Sequence, residues 1–238
     1  MQIFLIRVGA DQSDGGGSWN GPVDSSTGRF VYVPIPEGGS VRPGFEKPYG
    51  TLAPYLDAFD TALPAHLAQK GMHLDPDFEH VTYGDRGNKG AQLANTLKRG
   101  DRLLFYSGLK DIRSRELVYA LIGTIIVDRV DRAIDWPPAR YDENAHTRRM
   151  LAIDALDIVV VGQPGQSGRL ARCIPVGEYR DRAYRLTPPI LEAWGPTSVA
   201  DGYLQRSAVF PYLKAPGRFQ EWWNRQDLML LHSNNMCD

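Results

Sequence analysis

Short runs of β-branched and aromatic residues, bounded by glycine, proline or aspartate, recur along this chain and alternate with more polar stretches. Such runs are typical of β-strands. They predict six strands, at residues 2–8, 30–35, 102–107, 119–130, 157–162 and 170–176. The fourth run contains Gly123, and a glycine inside a strand permits the bulge or sharp bend that a curved sheet or small barrel requires.

Apolar residues at helical spacing predict five helices between and after the strands. These helices are expected at residues 52–70, 89–98, 143–154, 189–193 and 218–231. The order of elements is not a regular alternation of strand and helix, so an α+β fold with a mixed or antiparallel curved sheet is favoured over a doubly wound parallel sheet. No linker separates two cores, and we expect residues 1–238 to form a single domain with loop and C-terminal helical elaborations.

Composition narrows the class of protein. The chain of 238 residues has 27 Lys and Arg against 28 Asp and Glu, which argues against a broadly basic, non-specific nucleic-acid binder. Its two cysteines, Cys173 and Cys237, form neither a disulfide framework nor a zinc motif, which favours a reducing compartment. The longest apolar stretch, residues 117–127, is shorter than the roughly 20 residues of a membrane helix. We therefore expect a cytoplasmic protein without a membrane partner.

The loop after the first strand is the most unusual segment of the sequence. Arg7 and Asp11 lead into the glycine-rich residues 14–22, which include Trp19. Such a loop can bring backbone N–H groups close to a phosphate, although its spacing is not that of a dinucleotide site or a P-loop. It is either a flexible connection or a substrate-contacting loop. Arg7 and Asp11 favour the second interpretation, because a charged side chain near the end of a buried strand is costly unless it is paired or used.

A second polar group precedes a predicted helix. Asp85 or Asn88 could cap this helix, or Asp85 and Lys89 could contact a ligand at its N-terminus. Just upstream, four possible metal ligands occur within eight residues, but their spacing matches no zinc or calcium loop. These four residues are His73, Asp75, Asp77 and His80. The sequence therefore predicts no metal site and no cofactor, and it places His146 on the solvated face of a helix.

Two later segments carry a family resemblance. The run GDRLLFYSG at residues 100–108, followed by ALIGTIIV at residues 120–127, resembles the core hairpin of PUA-like domains, including the EVE and ASCH branches. The whole chain resembles the nucleotide-modification-associated domain 3 family, in the segments FLIRVGAD, RFVYVPIPE, TYGD, GDRLLFYSGL and DGYLQRSAVFPYL. That family is associated with pathways that modify DNA bases. The resemblance implies a nucleic-acid or nucleotide context and an α+β fold with a PUA-like curved mixed sheet or small barrel and peripheral helices.

The resemblance also implies a pocket for one base, because PUA-like domains hold a single flipped or free base beside the curved sheet. Stacking and hydrogen bonds to the edge of the base must offset the cost of extruding it from a duplex. Of two adjacent aromatic residues on one strand, we expect Tyr106 and not Phe105 to line the pocket, because a tyrosine hydroxyl needs a partner. The predicted base- or nucleotide-binding residues are Arg7, Asp11, Trp19, Tyr83, Asp85, Tyr106, Ser107, Gln205 and Arg206.

Three functions fit these observations. The first is a binding module that recognises a modified base or nucleotide in nucleic acid, with DNA preferred as the partner. The second is an enzyme that installs, alters or removes a modified base, with Arg7, Asp11 and Asp85 as its catalytic residues. The third is a protein-interaction subunit that uses the fold without a base pocket. Separately, Gln205, Arg206 and Ser207 either contact a base edge or phosphate or belong to a capped helix with an exposed face. The sequence contains no recognised catalytic or cofactor motif, which favours binding.

Overall fold

A computed structural model describes residues 1–205 and 207–236, without the side chain of Asp14. The strands are β1 (Ile3–Arg7), β2 (Pro22–Asp24), β3 (Arg29–Phe30), β4 (Ile35–Pro36), β5 (Met72–His73), β6 (Thr82–Asp85), β7 (Arg102–Asp111), β8 (Leu117–Arg132), β9 (Ile158–Gly162), β10 (Gly168–Arg180), β11 (Ala183–Leu186) and β12 (Leu230–Leu231). The helices are α1 (Ala53–Asp57), α2 (Ala65–Ala68), α3 (Gly87–Thr96), α4 (Ala145–Arg148), α5 (Pro188–Trp194) and α6 (Pro216–Asn224). This is the mixed α+β fold expected from the sequence.

The long hairpin of β7 and β8 forms the centre of a large mixed sheet. Strand β10 pairs antiparallel with β8 on one side, and β1 pairs parallel with β7 on the other. Strand β1 is buried on both faces, as its continuous apolar sequence requires. On one face, Ile3 and Leu5 belong to an apolar cluster that includes Trp194 of α5. On the other face, Phe4 and Ile6 belong to a second apolar cluster. The sheet is therefore the middle layer of the fold, with helices α5 and α6 covering one face.

The sheet bends where the sequence predicts a bend. The pairing of β7 with β8 shifts register between Phe105 and Tyr106, opposite Gly123. A side chain at position 123 would meet the ring of Phe78, so only glycine fits there. The curvature brings β10 close to the turn before β3, where Cys173 N–H donates to the carbonyl oxygen of Gly28 at 2.8 Å. Within the described part of the chain, the sheet does not close into a barrel.

Strands β1 and β2 lie along the same edge of β7 and leave a gap between them. Strand β1 pairs with β7 as far as Arg7 opposite Tyr106, and β2 joins β7 only at Lys110. Since β8 occupies the other edge of β7, the intervening residues 8–21 leave the sheet as a loop. This gap places the glycine-rich loop beside the middle of the sheet.

Three predicted helices are shorter than expected. The expected helix at 52–70 is divided into α1 and α2, because Pro64 lies immediately before α2 and a proline is excluded from a helix interior. The expected helix at 143–154 is reduced to α4, which Asn144 caps with its side chain and which ends because the backbone of Arg149 is extended. The last helix ends at Asn224, and Leu230–Leu231 form β12 instead.

No helix in residues 1–205 and 207–236 has the length and hydrophobicity needed to cross a membrane.

Replacing Gly123 with alanine should destabilise the protein. The added Cβ would lie 2.4 Å from Phe78 Cε1 and 2.8 Å from the carbonyl oxygen of Gly168, and the second atom belongs to the backbone. We expect a loss of about 1–3 kcal/mol in the free energy of unfolding, measured by urea denaturation. Gly165→Ala is the matched control, since no atom lies within 4 Å of its added Cβ. Equal unfolding midpoints for the two variants would contradict the packing at the bend.

Candidate functional site

A cavity of about 350 Å³ opens beside the gap in the sheet. Its walls come from the end of β1, the loop that follows, β6, the start of α3, the polar residues of β5 and α4, and residues 207–211. Small-molecule sites typically have volumes of about 300–1,000 Å³. The cavity is therefore large enough for a small ligand or for one base with part of its nucleotide.

Asp11 organises the glycine-rich loop that forms one wall. Its Oδ1 accepts hydrogen bonds from Ser13 N–H at 2.9 Å and from the Ser13 hydroxyl at 2.5 Å. Its own N–H donates to the carbonyl oxygen of Gly16 at 2.8 Å, and a side chain at position 16 would collide with the Asp11 carboxylate. The loop is thus a defined turn held by hydrogen bonds, and it forms one wall of the cavity.

The other carboxylate oxygen of Asp11 pairs with Arg7. Arg7 Nη2 lies 2.8 Å from Asp11 Oδ2 and also donates to the Tyr119 hydroxyl at 3.0 Å. Both charged side chains line the cavity. The pair satisfies the charge at the end of the buried strand and presents donors and an acceptor to a ligand.

The opposite wall is formed by β6 and the start of α3. The Tyr83 hydroxyl donates to Asp85 Oδ2 at 2.8 Å, and Asp85 Oδ1 accepts from Arg86 N–H at 2.7 Å. No side chain caps α3, so the predicted capping role of Asp85 or Asn88 is wrong. Arg86 and Lys89 line the cavity at this end, and the uncapped N–H groups of the first turn of a helix carry partial positive charge.

Six of the nine predicted binding residues line this one cavity: Arg7, Asp11, Tyr83, Asp85, Tyr106 and Gln205. Tyr106 is 2% exposed and its hydroxyl donates to the carbonyl oxygen of Leu204. Two predicted residues lie elsewhere. Trp19 packs against a separate apolar cluster beneath the loop, and Ser107 is buried with its hydroxyl directed at Gly9. Arg206 lies outside the described residues.

The sequence interpretation missed a group of three side chains at the floor of the cavity, His73, Asp75 and His146. The Nε2 atoms of His73 and His146 lie 3.9 Å and 3.7 Å from Asp75 Oδ2. The donor atoms of all three residues are within 4.8 Å of one another, a spacing at which they could hold a metal ion. All three side chains are buried, so the expectation that His146 lies on a solvated face is wrong.

Two carboxylates fix the orientation of the imidazole rings. The Nδ1–H of His73 donates to Glu37 Oε2 at 2.8 Å, and the Nδ1–H of His146 donates to Asp157 Oδ1 at 2.5 Å. An ionised carboxylate only accepts hydrogen bonds, so we assign the proton to Nδ1 in both rings. Arg149 Nη2 also lies 3.1 Å from His73 Nδ1, and with the proton on Nδ1 this is a contact and not a hydrogen bond. Arg149 donates to Glu37 Oε1 from Nε at 2.9 Å and from Nη2 at 2.6 Å. Both Nε2 atoms therefore point towards Asp75.

Asp75 is held by the backbone of β6. Gly84 N–H donates to its two carboxylate oxygens at 2.9 Å and 3.0 Å, and Asn144 Nδ2 donates to Oδ1 at 3.0 Å. A Cβ at position 84 would lie 2.3 Å from His146 Cδ2, so this close approach requires glycine. The same Asn144 caps α4 by accepting from His146 N–H at 2.8 Å. The cap positions the second histidine beside the carboxylate.

Burial and hydrogen bonding shift the pKa values of these side chains in different directions. Desolvation lowers the pKa of His73 and of His146, so both rings are neutral at pH 7. Desolvation also raises the pKa of Asp75 well above its ordinary value. For Glu37 desolvation acts in the same direction, but the hydrogen bonds from His73 and Arg149 outweigh it and lower the pKa from 4.5 to about 2.

The sequence contains only part of the signal for this group. His73 and Asp75 are two residues apart, which places both on one side of an extended segment. His146 follows 71 residues later, and no spacing pattern connects it to them. The other two possible ligands in the same segment, Asp77 and His80, do not join the group. Asp77 pairs with Arg148, and His80 Nδ1 lies 3.2 Å from Asp77 Oδ2.

The fold and the site define a mixed α+β protein with a polar cavity beside the gap between β1 and β2. Comparison with known families identifies the family, since the model described as nucleotide modification associated domain 3 matches residues 2–232. The chain belongs to this family, as its resemblance to it implied, and is thereby associated with nucleotide modification. No curated protein and no solved structure matches the chain. The PUA-like core stays a prediction.

Replacing Glu37 with glutamine should destabilise the protein at neutral pH. Because the pKa of Glu37 is depressed in the folded state, its contribution is present above about pH 4.5 and is lost as the pH falls towards about 2. Urea denaturation at a series of pH values should show the largest gap between wild type and Glu37→Gln near pH 7, and a narrowing gap below pH 4.5.

The matched control is Glu46→Gln, since Glu46 is exposed and accepts a hydrogen bond from the nearby Gly44 N–H. We expect this control to leave the unfolding midpoint nearly unchanged. A stability gap for Glu37→Gln that is independent of pH would contradict the role of its charge.

Proposed function

We propose that this chain recognises a modified base within nucleic acid, with DNA as the preferred partner, and holds that nucleotide in the cavity beside β1. The observation that carries the proposal is the convergence of six predicted binding residues on one cavity in a chain of the nucleotide modification associated domain 3 family. These residues come from segments that are far apart in the sequence, from Arg7 to Gln205. Their convergence favours a shared ligand.

The phosphate of the nucleotide is expected at the α3 end of the cavity. Arg86 is exposed there, and Lys89 Nζ lies 4.8 Å from the centre of the Phe210 ring, at the cavity wall. Cationic side chains beside an uncapped helix N-terminus are suited to an anionic group. This end of the cavity carries the positive charge that the chain as a whole lacks.

The base is expected at the β1 end. Arg7 offers N–H donors, Asp11 offers carboxylate acceptors, and the amide of Gln205 offers both, which is the mixture that the edge of a base requires. Tyr83 and Tyr106 are only 5% and 2% exposed. Their rings therefore bound the cavity without presenting a broad stacking face, and selection would depend on hydrogen bonds and fit. A single extruded base suits a cavity of this size better than a longer strand does.

A second candidate function is an enzyme that alters the bound base. The observation that favours it is the buried polar group of His73, Asp75 and His146 at the floor of the cavity. A binding module would need only a complementary shape and hydrogen bonds there. Two neutral imidazoles can accept protons or bind a metal ion. The enzyme and the binding module would use the same cavity.

Fluorescence anisotropy with oligonucleotides that carry normal and modified bases tests the binding proposal. We expect one modification to bind more tightly than its unmodified counterpart. The double variant Arg86→Ala/Lys89→Ala should weaken binding by roughly tenfold or more, because hydrogen bonds to charged groups are lost. Lys98→Ala/Lys214→Ala is the charge-matched control, since both lysines are exposed and lie outside the cavity lining.

Equal losses in the two double variants, or the same affinity for every base, would contradict the binding proposal. The oligonucleotides recovered from the assay can be digested to nucleosides and weighed by mass spectrometry. Unchanged base masses are expected for a binding module, and a changed mass would identify the enzyme.

A further inference from the structure

We propose that His73, Asp75 and His146 bind a divalent transition-metal ion at the floor of the cavity. This inference goes beyond the proposed function and does not depend on it, since a base can be bound without a metal ion. Two imidazoles and one carboxylate are a ligand set that catalytic zinc sites and non-haem iron(II) sites share. The sequence spacing alone predicts no such site, because the third ligand comes from a distant segment.

The distances between the donor atoms fit one ion. The Nε2 atoms of His73 and His146 lie 3.9 Å and 3.7 Å from Asp75 Oδ2, too far for hydrogen bonds. Ligands at about 2.0–2.2 Å from a tetrahedral ion would lie about 3.3–3.6 Å apart, so the two nitrogen–oxygen distances are within a few tenths of an ångström of that spacing. All three donor atoms lie within 4.8 Å of one another. Among the residues that the structure describes, neither Nε2 atom has a hydrogen-bond partner.

The surrounding hydrogen bonds prepare the rings for a metal. Glu37 and Asp157 accept from the Nδ1–H groups and so leave the lone pair of each Nε2 directed at the space beside Asp75. Carboxylates that orient ligating histidines in this way are characteristic of metal sites.

The open side of the site faces the cavity, since all three ligands line it. With three protein ligands, an ion would keep at least one position for water or for a group on the bound nucleotide. Such an ion can act as a Lewis acid or lower the pKa of a bound water. The metal would thus lie next to the space assigned to the base.

Metal binding can be measured on the full-length chain after treatment with a chelator. Zn²⁺, Co²⁺ and, under anaerobic conditions, Fe²⁺ are added separately, and uptake is determined by equilibrium dialysis with elemental mass spectrometry. We expect one ion per chain for at least one of these metals, with visible absorption bands for Co²⁺. His73→Gln and His146→Gln should each weaken binding by at least about 100-fold. His232→Gln, which removes an exposed histidine beside Pro164, should retain it.

X-ray absorption of the metal-loaded wild type should show two imidazole ligands, and this result does not depend on the folding of any variant. The proposal is overturned if the wild type takes up none of the three ions stoichiometrically. It is also overturned if folded His73→Gln and His146→Gln bind as tightly as wild type, or if the absorption spectrum lacks imidazole. Oligonucleotide binding by the chelated protein reports separately on the proposed function.

Discussion

The floor of the cavity depends on two buried hydrogen bonds, from His73 to Glu37 and from His146 to Asp157. The first joins residues 36 apart in the sequence and the second joins residues 11 apart. Each leaves a neutral imidazole with Nε2 directed at Asp75. Buried imidazoles and carboxylates are costly unless they are paired in this way. The pairs connect β5 to the residue after β4, and α4 to the residue before β9, and so fix the polar side of the cavity against the sheet.

The other walls follow from the topology of the sheet. Because β1 and β2 share one edge of β7 without meeting, the chain between them must leave the sheet, and Asp11 holds the resulting loop in a defined turn. The bend at Gly123 and the close approach at Gly84 are two places where the backbone must come near a side chain. The cavity lies between the loop and β6, and charged residues from both walls line it.

Local patterns in the sequence predict much of this arrangement. The apolar strands, the bend at Gly123 and the chemical character of the loop after β1 are properties of short segments, and six of the predicted binding residues line the cavity. The group of His73, Asp75 and His146 could not be predicted, because it is created by the packing of α4 against β6. His146 has the local pattern of an exposed helical residue, but the cap at Asn144 fixes its backbone and its ring pairs with the buried Asp157. The prediction for Trp19 failed for a similar reason, since its side chain packs against a separate apolar cluster and is only partly buried.

The central claim is that two carboxylates hold both imidazoles neutral with the proton on Nδ1, so that the Nε2 lone pairs converge on Asp75. Nitrogen-15 NMR of the histidine rings in the chelated protein at pH 7 tests it directly, with His73→Gln and His146→Gln for assignment. The account predicts that both rings carry a proton on Nδ1 and none on Nε2. A proton on Nε2 in either ring, or an imidazolium, would contradict it.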